Sequence, residues 1–306
     1  MLWTRRVSWA LGLAAIVLLG GRMSLQAGDP ALPSLKIGIL HSFLGGAENA
    51  ALLNQAGPLT EVLGSQLGVR LQLAAVPDAV AMSRQIVAGE LDLGVMHGIE
   101  YGWLRQQTPQ LMPIALAMNE TIKLRALVIV PAGDEAKTIA DLRGTTIFMP
   151  RKCLQHCPLY TQKLILDARL DPAGFFCGRE QCRNIDEVLD SLVDGKGRCA
   201  MVDGLAWGIY QERKPGRAKK LRVLAESGWF PTAAVLAKEG GMDAERLTQI
   251  KAGFTSLHEK PMGRQMLMFW RLTQFVPVPA EYETLVQEIL RELPERLPEV
   301  PLYQKP

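Results

Sequence analysis

Several things are scarce in this sequence, and each scarcity narrows what the chain can be. Charge of one sign is the first: 34 Lys and Arg against 31 Asp and Glu leave a net +3 over 306 residues. The one local basic cluster, Lys214-Pro-Gly-Arg-Ala-Lys-Lys220, is short and has no aromatic residues interleaved. A nucleic-acid partner is therefore not expected, because phosphate binding needs a basic stripe and stacking needs rings. The N-terminal apolar run, Trp9 to Gly21, is only 13 residues, whereas a helix that spans a bilayer needs about 20. With Arg5 and Arg6 before it and a small-residue region ending Leu25-Gln26-Ala27 after it, residues 1–27 read as an export signal cleaved near Ala27, with an uncleaved membrane tether as the alternative. No cysteine follows the run, so a lipid-modified N-terminus is not indicated, and the residues after the Arg pair fit twin-arginine export poorly. Internal repeats and low-complexity tracts are also missing. With 48% hydrophobic and 21% charged residues, the composition is that of a globular chain with one large core or two smaller ones.

Cysteine is sparse but clustered. All five, Cys153, Cys157, Cys177, Cys182 and Cys199, fall within 47 residues. In an oxidising compartment thiols pair where geometry allows, and five leave at least one over. The simplest expectation is a Cys177–Cys182 bridge closing a small loop, with Cys199 a buried thiol inside the strand-like Cys199-Ala-Met-Val202.

The pattern along the chain is an alternation of strands and helices. After a Pro-containing linker over 28–34, Lys36 to Leu40 reads as a strand running into His41-Ser42-Phe43, and Pro58 opens a helix that Gly68 stops. Val69 to Ala75, Ala79 to Ala88 and Leu91 to Met96 read as strand, helix and strand, the last ending at His97. An extended run, Leu124 to Pro131, precedes a restart of the pattern: helix Ile139 to Leu142, strand Thr145 to Met149, a helix from Pro158, helix Asp186 to Val193, and strand Cys199 to Val202 ending at Asp203. Beyond Ser227-Gly-Trp-Phe-Pro231 come strand Ala233 to Ala237 and helices over Ala244 to Glu259, Gly263 to Trp270 and Glu281 to Leu293. Such alternation predicts an α/β fold with mostly parallel sheets covered on both faces. The expected organisation is two lobes, the second inserted in the first: 35–128 and 229–306 for lobe 1, 129–228 for lobe 2, with two crossing strands and a cleft between. In such sheets ligands sit beyond the carboxyl ends of the strands.

One stretch carries most of the expected chemistry. Between strand Thr145 to Met149 and the helix opened by Pro158 lies Arg151-Lys152-Cys153-Leu154-Gln155-His156-Cys157. Proline suits the first helical position, and the free N–H groups there would point into this loop and attract an anion, with Arg151 and Lys152 adding charge. His156 and Cys157 are also possible metal ligands, and a thiol at a helix start loses its proton more readily. Three of the four histidines, His41, His97 and His156, stand in or beside loops that follow strands, on the expected cleft side.

The succession PLTEVLGSQLGV, DAVAMSRQIVAGELDLGVM followed by Tyr101, IADLRGTTIF, ARLDPAGFF, LVDGKGRCAMVDG, LAESGWFP and FVPVPAEY resembles the PhnD-like phosphate, phosphite and phosphonate solute-binding proteins of ABC importers, over about residues 35–285. The resemblance implies a type 2 periplasmic-binding-protein fold: two lobes that close on a small anion and deliver it to a membrane permease. Tyr101 matches a tyrosine that faces the ligand in such proteins, and Asp203 an acidic position at the end of a second-lobe strand. There are departures. Leu154-Gln155-His156 replaces a Ser-Thr-Ser type run whose hydroxyls hold the phosphonate oxygens; Ala79, beside Asp78, stands where a second ligand-facing tyrosine is expected; and Ile185 falls near a histidine position.

The leading expectation is binding without chemistry and without a cofactor: an extracytoplasmic monomer holding a small oxyanion through Arg151, Lys152, Gln155, His156, Cys157 and Asp203 from one lobe and His41, Ser42, His97 and Tyr101 from the other. The first alternative is capture of a transition metal or its chelate by His41, His97, His156 and Cys157. A sensor that signals to a membrane partner would use the same fold. An enzyme would need Cys157 as nucleophile with His97 or His41 as base, and that reading is the least favoured.

Overall fold

The computed structural model describes residues 32 to 303, apart from 45, 48–50, 52, 54–56, 152 and 299. The expected export signal and residues 28–31 of the linker lie outside the described residues. β1 (Ser34–Leu40) runs into the short α1 (His41–Leu44), and α2 (Gly57–Leu67) leads to β2 (Arg70–Val76). α3 (Ala79–Ala88), β3 (Leu93–Met96), α4 (Gly98–Arg105) and β4 (Leu111–Met118) follow. The chain leaves through β5 (Lys123–Leu124) into β6 (Ala126–Pro131), a 3-10 turn at Ile139–Leu142, β7 (Thr146–Pro150), α5 (His156–Asp167) and β8 (Gly178–Cys182). It continues through α6 (Ile185–Val193), β9 (Cys199–Asp203), α7 (Gly204–Arg213), α8 (Pro215–Ala218) and β10 (Leu221–Glu226). β11 (Phe230–Pro231) brings it back to β12 (Ala234–Lys238), α9 (Ala244–Thr255), α10 (Pro261–Phe269), β13 (Gln274–Val276) and α11 (Glu281–Glu292).

Local sequence explains many of these boundaries. Asp78 accepts the Ala81 N–H at 2.8 Å and so caps α3; Gly89, at φ 76°, turns back to close its other end on the carbonyls of Gln85 and Ile86. A side chain at that φ would be strained, which is why glycine stops the helix there. Asn184 caps α6 in the same way through the Glu187 N–H at 3.0 Å. Among the described residues no helix is long and apolar enough to cross a membrane.

The strands make two sheets, ordered β13-β4-β12-β3-β1-β2 and β10-β6-β9-β7-β8, joined by the short antiparallel pair β5 and β11. Neither is purely parallel: β12 runs against both β3 and β4, and β6 runs against both β9 and β10. The reason is the crossing. A strand that arrives from the other half enters at the inner edge and runs outward, opposite to β1, β3, β7 and β9. Those four bring their carboxyl ends, at Leu40, Met96, Pro150 and Asp203, to the inner side. One apolar cluster runs without a break from Leu40, Met82 and Met96 through Phe230 and Tyr282 to Val128, Ile147 and Met201, so the two halves share a core. Separate clusters cover the far face of each sheet, around Ile37, Val235 and Phe254 in one and Leu189, Val202 and Tyr210 in the other.

After α11 the chain crosses to the second half as an extended strap. The Leu293 carbonyl accepts from Trp103 Nε1 at 2.9 Å and the Pro298 carbonyl from Gln162 Nε2 at 2.7 Å. Farther on, Gly174 and Phe176 donate to the carbonyls of Pro301 and Leu302, each at 2.9 Å, and Tyr303 lies under the Arg179 guanidinium.

Two expectations are corrected. The fifth helix starts at His156, not at Pro158, so proline is its third residue and not its first. The Cys177–Cys182 bridge is not formed, and all five cysteines are free. Cys177 and Cys182 bracket one extended strand, β8, which holds them about 16 Å apart, far beyond the roughly 7 Å between Cα atoms that a disulfide tolerates. Cys199 is buried, as expected.

Candidate functional site

The inner ends of β1 and β3 place the first group. His41 opens α1, and the next residue, Ser42, has its Oγ 3.0 Å from His97 Nε2. His97 follows β3 as the N-cap residue of α4, and its ring stacks on Phe43 with centroids 4.0 Å apart. The residue is half-buried, and its pKa falls to about 3, burial being the larger cause and the nearby His156 the smaller. At neutral pH His97 is an uncharged ring.

The second group comes from β7 and β9. His156, the first residue of α5, is buried with its Nε2 3.0 Å from Asp203 Oδ2 and its ring against Phe230 at 5.6 Å. Asp203 ends β9, and its other oxygen caps α7 by accepting from the Leu205 and Ala206 N–H groups at 3.0 and 3.2 Å. One carboxylate thus anchors a helix and orients an imidazole.

Gln155 and Glu100 bring the halves together. Gln155 Nε2 lies 3.5 Å from Glu100 Oε1. Glu100, third residue of α4, is only 6% exposed, with the His97 backbone N–H acting on its carboxyl. Its pKa rises to about 7: burial raises it most, the Gln155 bond, the Arg296 charge and the His97 N–H oppose, and Asp78 adds a little. Glu100 Oε2 and Gln155 Oε1 are buried and have no hydrogen-bond partner among the described residues. Both line a cavity of about 320 Å³ that continues under the strap past Trp103, Gln162 and Arg296. A concavity of about 230 Å³ at Gly68 and Arg246 holds none of the expected site residues.

The other expected residues are placed as follows. Tyr101 is fully buried, its hydroxyl donating to Glu283 Oε1 at 2.9 Å and its ring stacked on Tyr282, so it packs α4 against α11 and not toward His97 and His156. Arg151 is exposed, donates its N–H to the Cys182 carbonyl at 2.9 Å, and its charge acts on Glu187 of α6. Lys152 lies outside the described residues. The start of α5 offers fewer free N–H groups than expected, since the Cys157 N–H is spent on the Leu154 carbonyl at 3.0 Å and Pro158 has none. Cys157 is buried, and burial, followed by its contact with Cys153, pushes its thiol well above the usual range. The lowered pKa expected of a helix-start thiol is therefore not realised, and with it goes the basis for a thiolate nucleophile. Among the described residues no three His, Cys, Asp or Glu side chains converge on a point that could hold a metal ion; His97 is engaged with Ser42 and His156 with Asp203. Sequence reasoning passed over Glu100. Its signal is a glutamate three residues after the end of a strand, in the third position of a helix.

Comparison with known proteins follows the same lines. The profile of the family described as the periplasmic substrate-binding protein of a phosphonate ABC transporter matches residues 45–282. No curated protein sequence matches the chain. Among solved structures, XAC2383 from Xanthomonas citri bound to chloride ion aligns with a TM-score of 0.57 at 16% identity, covering 85% of this chain and 97% of that one. PhnD1 from Prochlorococcus marinus in complex with methylphosphonate aligns at 0.55 and 15%, covering 86% and 99%. A binding protein component of an ABC phosphonate transporter from Pseudomonas aeruginosa aligns at 0.54 and 11%, covering 86% and 87%. At these identities the likeness speaks for the two-lobed fold.

Proposed function

Since this chain belongs to the family of periplasmic substrate-binding proteins of phosphonate ABC transporters, we propose that it binds a small phosphonate-like oxyanion between the inner ends of its two sheets and hands it to a membrane permease. The supporting observation is the reach of Gln155 from one half to Glu100 of the other at 3.5 Å, with His97 following β3 and His156 opening α5 beside them. Imidazole N–H groups and an amide would here do what hydroxyls do in the Ser-Thr-Ser pattern, because Leu154-Gln155-His156 supplies no hydroxyl. His41 and Ser42 at the end of β1 and Asp203 behind His156 complete the set; Arg151 and Lys152 supply positive charge in the same loop, and Tyr101 supports α4 from behind. Ligand contacts made only when the halves close would shift an open–closed equilibrium. The protein would work as an extracytoplasmic monomer, released from its signal near Ala27, without catalysis or a cofactor.

An anion beside His97 favours the protonated ring, and protonating Glu100 removes a repelling charge, so both groups make affinity fall as pH rises. Titration calorimetry with methylphosphonate, phosphite, phosphate and sulfate at pH 6 and pH 8 is the test. The expected result is binding of one or more anions, tighter at pH 6, accompanied by proton uptake and weakened about tenfold or more by His156→Ala, the worth of one charge-assisted hydrogen bond. No heat with any of the four at either pH would end the anion reading and leave the fold untouched.

A further inference from the structure

Of the five free cysteines, two stand at either end of one turn. Cys157 lies in the first turn of α5, and Cys153, four residues earlier, is near enough to push its thiol further up. Cys153 is half-buried and packs on the apolar cluster that contains Cys157. The chain between them is turned back by the bond from the Cys157 N–H to the Leu154 carbonyl, 3.0 Å. The pairing of Cys177 with Cys199 is closed by the sheet. Cys177 and Cys199 lie on either side of β7, near Thr146 and Thr145 respectively; strands two apart are about 9.6 Å from one another, too far for an S–S bond.

We propose that Cys153 and Cys157 form a thiol–disulfide pair in the loop that carries Gln155 and His156, and that closing the bond fixes that loop. Cys153 and Cys157 are unbonded, Cys153 standing in the loop before the helix start at His156, and a disulfide wants their Cβ atoms about 3.8 Å apart. Oxidation therefore draws Cys153 toward α5 and tightens the turn that holds Gln155. The oxidant is a small-molecule disulfide such as glutathione disulfide. The thiolate of the more accessible Cys153 attacks one of its sulfurs and releases one thiolate; Cys157 gives up its proton and attacks the Cys153 sulfur, releasing the second. Two protein thiols and one external disulfide become one protein disulfide and two external thiols. Burial of Cys157 makes the second step slow and faster at higher pH.

The effect on binding rests on the function proposed above; the bond itself does not. The test equilibrates the full protein in glutathione disulfide or in excess reductant, alkylates it under denaturing conditions, and maps the tryptic peptide 153–163, which holds both cysteines. The expected result is no alkylation of this peptide after oxidation and two alkyl groups after reduction, with Cys153→Ser leaving Cys157 alkylated in both buffers. Two alkyl groups after oxidation, or Cys153 linked to Cys177, Cys182 or Cys199, would overturn the pairing. Calorimetry with methylphosphonate on the two forms tests the second half. The oxidised form is expected to bind roughly two- to tenfold more tightly, the worth of one or two side chains held in advance. Equal affinities would overturn the claim that the bond sets the loop. Absence of binding in both forms would count against the anion reading, while the peptide map still decides the bond.

Discussion

At the scale of single residues, Asp203 holds the second half of the candidate site together, because its two oxygens serve different masters. Oδ1 caps α7 and Oδ2 holds His156. Losing a cap costs about 0.5–2 kcal/mol, and leaving a buried imidazole nitrogen without its partner costs about 1–3 kcal/mol more. Asp203→Ala is therefore expected to lower stability by roughly 2–4 kcal/mol in urea denaturation. Asp203→Asn, whose oxygen still caps α7, should cost less than half as much; equal losses would mean that the two roles are not separable. Legibility at this scale was uneven. His97, His156 and Asp203 stood out because each ends or follows a strand on the inner side. Tyr101 was read through the family pattern as a ligand contact, and nothing in a helical Ile-Glu-Tyr sequence says which of three successive side chains turns toward the neighbouring helix. Its burial against Tyr282 depends on α11, nearly two hundred residues later.

At the scale of elements, the start of α4 carries two groups with opposite pH behaviour. His97 is held neutral down to about pH 3, so between there and about 6.5 the unfolded chain binds a proton that the folded one refuses, and stability falls as pH falls. Glu100 is raised to about 7. Between the ordinary glutamate value and 7 the folded state is the one that binds the extra proton, so this contribution is present at low pH and lost as pH rises through 7. Glu100→Gln removes the buried charge and gives the unpartnered Gln155 Oε1 a donor. It is expected to be more stable than the parent at pH 8 by roughly 2–3 kcal/mol, with little difference at pH 5; His97→Gln should flatten the acid limb. Chemical denaturation from pH 4 to 8 reads both slopes, and parallel curves for parent and Glu100→Gln would show that the carboxyl is not buried in solution. The helix itself was not foreseen, since Gly98 and Gly102 weaken its propensity and its packing on α3, β11 and α11 is what requires it. β4 escaped notice because Pro113 breaks its pattern; the sheet absorbs it with a register shift opposite Val235 and Leu236. β8, Gly-Arg-Glu-Gln-Cys, has no apolar face to betray it, because an edge strand needs none. The elements read most accurately, α3 and β9, were those with a cap or a β-branched and apolar run of their own.

At the scale of the whole molecule, the two halves are held by more than the crossing pair. The strap after Leu293 belongs by its origin to α11 and by its contacts to the second half: Gln162, Gly174, Phe176 and Arg179 all hold it. It was invisible to sequence reasoning because Leu293 to Tyr303 is rich in Pro and charge and has no period to read. Mechanically it spans the same gap as Gln155 and Glu100, and it walls the cavity they line. Any opening of the halves has to stretch or release it, so the strap sets a cost on the open state. Gln162→Ala combined with Arg179→Ala cuts two of its anchors, one a neutral hydrogen bond worth about 1 kcal/mol and one a stacked cation worth about 0.5–1 kcal/mol at an exposed site. The expected outcome is a larger radius of gyration in small-angle scattering of the ligand-free double variant, with an unchanged circular dichroism spectrum and faster proteolysis between 294 and 303. Identical scattering with faster proteolysis would mean that the strap is released without consequence for the halves, and that β5 and β11 alone determine how far they part.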